Sequence, residues 1–98
     1  MESEVLKLRI RGRVWAVRWV DRTNSRWDLD KYLGMCFYDE HAIELSNEIP
    51  EDQRTPVFIH EVTHAVLPKL TEREVLRLER DLTNALLKFG ALTKRRSS

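Results

Sequence analysis

Apolar and polar positions alternate along the first part of the chain and change period further on. Val5-Leu-Lys-Leu-Arg-Ile10 alternates apolar and basic residues in part, the pattern of a half-buried strand. Gly12 breaks it. Arg13-Val-Trp-Ala-Val-Arg-Trp-Val20, rich in β-branched and aromatic residues, predicts a second strand, hairpin-paired to the first. Trp15, Val17 and Trp19 fall on one face at period two, as core packing requires. Residues 21–30 are polar and turn-rich, a loop or a short helical turn. Residues 33–37 and 42–46 predict two further short strands, joined by a tight turn at residues 38–41. In the second of these, Ile43 and Leu45 alternate with Ala42, Glu44 and Ser46, which suits one buried face.

The helical period appears next. Phe58, Ile59, Val62, Ala65 and Val66 recur at i, i+1, i+4, i+7 and i+8, one apolar stripe. This helix either starts with Thr55 as N-cap and Pro56 at the first helical position, or is longer and kinks at Pro56. Pro50 also fits a first helical position. Pro68 ends the helix near Leu67. Thr71 with Glu74 three residues later is a capping box. It predicts a second helix to about Phe89, with apolar residues at Val75, Leu78, Leu82, Leu86 and Phe89, and with Gly90 as its stop. The expected fold is α+β: a small antiparallel or mixed sheet of three to four strands packed on two main helices. Residues 1–90 read as one domain and residues 91–98, with Lys94-Arg95-Arg96, as a basic disordered tail.

Composition narrows the partners. A chain of 98 residues with 42% apolar residues carries one core, and 34% charge suits a solvated surface. A net charge of +1 recommends neither nucleic acid nor membrane. No apolar run approaches the roughly 20 residues of a membrane span, and the charged N-terminus lacks a signal-peptide pattern. The one cysteine, Cys36, excludes an internal disulfide, so the expectation is a cytoplasmic protein.

The chemistry concentrates at His60-Glu61-Val62-Thr63-His64. Two histidines four apart on a helix lie one above the other, so both imidazoles reach one ion, and the intervening Glu61 can work on that ion's water. This is the pattern of zinc hydrolases, with His60 and His64 as ligands and Glu61 as general base. Catalytic zinc takes a third protein ligand and a water. His41 and Cys36 are possible. A carboxylate of the second helix is better placed, because that helix starts a short turn after His64. Glu72, Glu74, Glu79 and Asp81 lie on it. Glu74 is engaged by the cap and Asp81 points outward, so spacing leaves Glu72 and Glu79. Thr63, Asp28, Asp30 and Glu44 are candidates to orient the histidines. Tyr32, Tyr38 or a backbone N–H could face the developing oxyanion, and the 42–46 strand is the candidate edge for an added substrate strand.

These features resemble the short phage-type metallopeptidases that are similar to the ImmA/IrrE group of minimal zincins. The matching residues are Gly34-x-Cys36 leading to His41-Ala-Ile-Glu-Leu-Ser46, then His60-Glu61-Val-Thr-His64-Ala65, then Leu70-Thr71-Glu72. In larger members a ligand glutamate on the second helix is followed at +3 by a small apolar residue and at +6 by a larger one. Glu72, Val75 and Leu78 fit that phase, so the resemblance implies Glu72 as third ligand. The stretch from His64 to Glu72 is shorter than in those members, and Glu79 stands where a small residue is usual, which keeps it a rival. The implied function is hydrolysis of a peptide bond in a protein or peptide substrate, dependent on Zn2+. The alternative is a catalytically inactive zinc-binding interaction or regulatory protein of phage type.

Overall fold

The computed structural model describes residues 5–97, and side chains over residues 6–90. Four strands come first: β1 (Val5–Ile10), β2 (Arg13–Val20), β3 (Gly34–Phe37) and β4 (Ala42–Ser46). A 3-10 turn at Glu51–Gln53 leads into α1 (Arg54–Val66), and α2 (Glu72–Ser97) follows.

β1 and β2 are a hairpin because Arg11 and Gly12 both hold positive φ, 52° and 79°. That is the twist a two-residue hairpin turn demands, and it is why glycine stands at the second position. The sheet order is β1-β2-β4-β3. β1 and β3 run antiparallel to their neighbours, whereas β2 and β4 are parallel, with Ala16 opposite Ala42 and Val20 opposite Ser46. The sheet is therefore mixed, and the α+β architecture is as expected.

β4 is interior, and this corrects the expectation that it is the free edge. All five of its residues are buried. Ile43 and Leu45 enter the core. Glu44, on the other face, accepts from Trp27 Nε1–H at 3.0 Å and from Arg26 at 3.4 Å, both in the 21–33 loop. A strand with one apolar and one polar face thus became buried on both sides. The edges are β1 and β3, and β3 is the edge that packs beside α1.

Thr55 does not cap α1, which begins at Arg54 and is the longer of the two helices expected. Pro50 caps the 3-10 turn, with Gln53 N–H donating to its carbonyl at 2.8 Å, and Pro56 is the third residue of α1. The first four N–H groups of a helix lack intrahelical acceptors, so a proline there removes no bond. The end is as predicted: Leu67 N–H donates to Thr63 O at 2.8 Å just before Pro68. The capping box also forms, with Glu74 N–H donating to Thr71 Oγ1 at 3.2 Å and Thr71 N–H to Glu74 Oε1 at 2.9 Å. Gly90 does not stop α2, which runs on to Ser97. A glycine costs a helix only about 1 kcal/mol, and good helix formers surround it. The side chains expected to form a basic tail, residues 91–98, lie outside the described ones.

The core gathers Trp15, Val17, Ile43 and Leu45 from the sheet around Ala65 of α1. α2 packs against α1, burying Val75 completely. The rest of its apolar stripe is not buried: Leu82 and Leu86 are about half exposed, because α1 has 13 residues and α2 has 26. Among the described residues no helix is long and apolar enough to cross a membrane.

Candidate metal centre

The centre lies between α1 and α2. The sheet-facing arc of α1 carries Phe58, Val62 and Ala65, which leaves His60 and His64 on the side that meets α2. Their Nε2 atoms are 3.3 Å apart. Glu72 is the first residue of α2, fixed there by the Thr71 cap. Its Oε1 is 2.7 Å from His60 Nε2 and its Oε2 is 3.3 Å from His64 Nε2.

Glu79, one face-repeat further along α2, reaches the other nitrogen. His60 Nδ1–H donates to Glu79 Oε1 at 2.8 Å. The two rival glutamates thus take different places, Glu72 at the converging nitrogens and Glu79 behind His60. A carboxylate behind an imidazole fixes its tautomer and makes the far nitrogen a better electron-pair donor. With Nδ1 engaged by Glu79, Nε2 is the nitrogen of His60 that faces Glu72.

Among the described residues, His60, His64 and Glu72 are the group whose ligand atoms could hold a metal ion, all within 4.8 Å of one another. The fit can be tested on the distances. Ligands about 2.0–2.2 Å from a tetrahedral zinc stand roughly 3.3 Å from one another. The two nitrogens stand 3.3 Å apart, and the carboxylate meets them through different oxygens, Oε1 at 2.7 Å from His60 Nε2 and Oε2 at 3.3 Å from His64 Nε2. Two imidazoles and one carboxylate also form the open donor set of a catalytic site, whereas structural zinc sites favour cysteines.

The other sequence candidates lie elsewhere. His41 sits in the turn before β4 at φ 52°, its ring edge-on to Trp15 at 5.3 Å. Cys36 packs against the core, and burial, with the Glu61 charge adding to it, pushes its thiol up to about 11. Glu74 serves the cap. None of the four residues proposed to orient the histidines does so. Thr63 donates to Ile59 O, Asp28 accepts from Asp30 N–H, Asp30 pairs with Arg22, and Glu44 binds Trp27 and Arg26.

Glu61 is the finding that periodicity did not supply. It is 8% exposed, at the margin of the arc that faces the sheet. There it lies against Gly34 of β3, where a Cβ would stand 2.9 Å from its Cγ and 3.1 Å from its Oε2. Desolvation is the main cause that raises its carboxyl to about 7. The His60 charge opposes this, and Glu72 and Glu79 add to it. Tyr38 lies close enough for the Glu61 and Glu72 charges to raise its phenol, after burial and Cys36 have done so.

The arrangement therefore joins a three-ligand donor set to a buried carboxyl that exchanges its proton near neutrality. Comparison with family models, curated proteins and solved structures finds no match to this chain.

Proposed function

We propose that the chain is a zinc-dependent peptidase of the minimal zincin type, with zinc held by His60, His64 and Glu72 and with Glu61 as general base. The observation that carries this reading is the convergence of His60 Nε2, His64 Nε2 and the Glu72 carboxylate. These are electron-pair donors at 2.7–3.3 Å, an arrangement that a cation makes favourable. Zinc bound there supplies a Lewis acid that acidifies water and polarises the scissile carbonyl.

The chain's own residues do the rest. Glu61, as carboxylate, takes a proton from the attacking water and passes it to the leaving amine nitrogen. Glu79 holds the proton on His60 Nδ1, which keeps Nε2 a ligand. The substrate is a protein or peptide, the setting cytoplasmic, and the resemblance to phage-type metallopeptidases points the same way.

The test is Glu61→Gln. This variant is expected to keep its fold and about one equivalent of zinc, while cleavage of a random peptide library falls about 100-fold or more. A wild-type chain that holds zinc and cleaves nothing, with protein binding untouched by the substitution, overturns the enzyme reading in favour of an inactive zinc-binding interaction protein.

A further inference from the structure

The sheet has a second edge, remote from the metal centre. β1 ends the order β1-β2-β4-β3, three strand spacings, roughly 14 Å, from β3. Its outer side presents backbone N–H and C=O groups that can template one more strand. The two faces of this edge differ in chemistry. Leu6 lies opposite Val17 and Leu8 opposite Trp15, on the face toward the core. α1 packs over β3 and β4, which leaves that face open at β1 and β2. The opening is a groove of about 530 Å³. Half-exposed Leu6 stands at its rim, Val17, Trp19 and Leu45 form its floor, and Phe58 and Arg54 of α1 form its far wall. Lys7 and Arg9 point to the opposite face, and both are exposed. Among the described residues neither forms an ion pair. Arg9 donates only to Gly12 O, at 3.2 Å.

We infer that β1 takes up an extended segment of a partner protein, in which apolar residues alternate with Asp or Glu. The inference goes beyond the peptidase reading and does not depend on it. Residues directly opposite on neighbouring strands share a face, and unlike charges attract there whereas like charges repel. The residues of the added strand that face Lys7 and Arg9 are therefore acidic. Those that face Leu6 and Leu8 are apolar, and one of them enters the groove beside Leu6. Main-chain hydrogen bonds hold such a strand, and a pocket for alternate side chains selects it. A second copy of β1 does not fit. In one register it brings cations against cations, and in the other it turns its own Lys7 and Arg9 into the apolar groove.

The probe is the blocked peptide acetyl-Glu-Val-Glu-Leu-Glu-Val-Glu-amide, followed by calorimetry on the full chain with and without zinc. It is expected to bind equally in both states, and its analogue with Lys for every Glu about tenfold or more weakly. N-methylation of one alternate set of its backbone amides is expected to abolish binding, and of the other set to leave it. Hydrogen exchange of the outward β1 amides is expected to slow on saturation. The exposed pair Lys7→Glu with Arg9→Glu should invert the preference toward the lysine peptide, and Leu6→Ser should weaken both. No binding, equal binding of the two charge forms, or unchanged exchange in β1 overturns the proposal. Binding that disappears with zinc places the peptide at the metal centre and overturns it too. So does a duplex oligonucleotide that binds more tightly than the peptide, which makes the basic face a phosphate surface. A chain that takes up no zinc ends the peptidase reading and leaves this one standing.

Discussion

At the scale of single residues, the site depends on a side chain that is missing. Gly34 lies under Glu61, and a methyl group there stands 2.9 Å from Glu61 Cγ and 3.2 Å from Leu45 Cδ2. Both neighbours are packed, so Gly34→Ala is expected to cost about 1–3 kcal/mol, read from urea unfolding. Its peptide cleavage is expected to fall while zinc content holds. An alanine variant as stable and active as the parent would show that Glu61 is not held by this contact. The histidines and the base were legible because spacing four apart fixes a shared face whatever the tertiary fold. Glu72 against Glu79 was not. Both face α1, and the offset between two helices decides which one meets Nε2 and which Nδ1. The burial of Glu61 was also hidden, since it depends on β3 lying at the edge beside α1.

At the scale of elements, the start of α2 is where local sequence and site geometry meet. The Thr71–Glu74 box fixes the first turn that carries Glu72. Thr71→Ala is expected to cost about 1 kcal/mol in thermal or urea unfolding. Hydrogen bonds from the Thr71 backbone, then its side chain, hold the Glu74 carboxyl below its ordinary 4.5. A carboxyl depressed in the folded state stabilises above its unfolded value, and that contribution fades as pH falls through the folded one. The gap between parent and Thr71→Ala should therefore narrow below about pH 4.5, followed by unfolding at stepped pH. Further along, Gly90 sits in the helix with nothing within 4 Å of an added Cβ and without positive φ. Gly90→Ala is expected to stabilise by about 0.5–1 kcal/mol, seen as a raised Tm. Strands, turns and the capping box were readable because each is set by residues a few positions apart. The place of β4 was not, since strand order is fixed by which faces the 21–33 loop and α1 cover.

At the scale of the molecule, 98 residues leave a small margin, and α2 is joined to the body through α1. An ion between His60, His64 and Glu72 ties the two helices together. Zinc at about 100 times its Kd is expected to add up to about 2.7 kcal/mol. This is a rise in Tm of roughly 10–20 °C for a chain of this size, absent in His64→Ala. The two halves of the chain close over very different distances. The parallel pairing of Ala16 with Ala42 must wait for the whole 21–41 excursion to be ordered, whereas the ligands all fall between residues 60 and 72. Chelation therefore needs only a helical hairpin, a contact of low loop-closure entropy that is expected to form before the sheet does. The ion then also populates partly collapsed chains, which trims its equilibrium gain below that ceiling. Its larger effect falls on kinetics: in stopped-flow mixing, zinc should quicken refolding and leave the unfolding rate nearly unchanged.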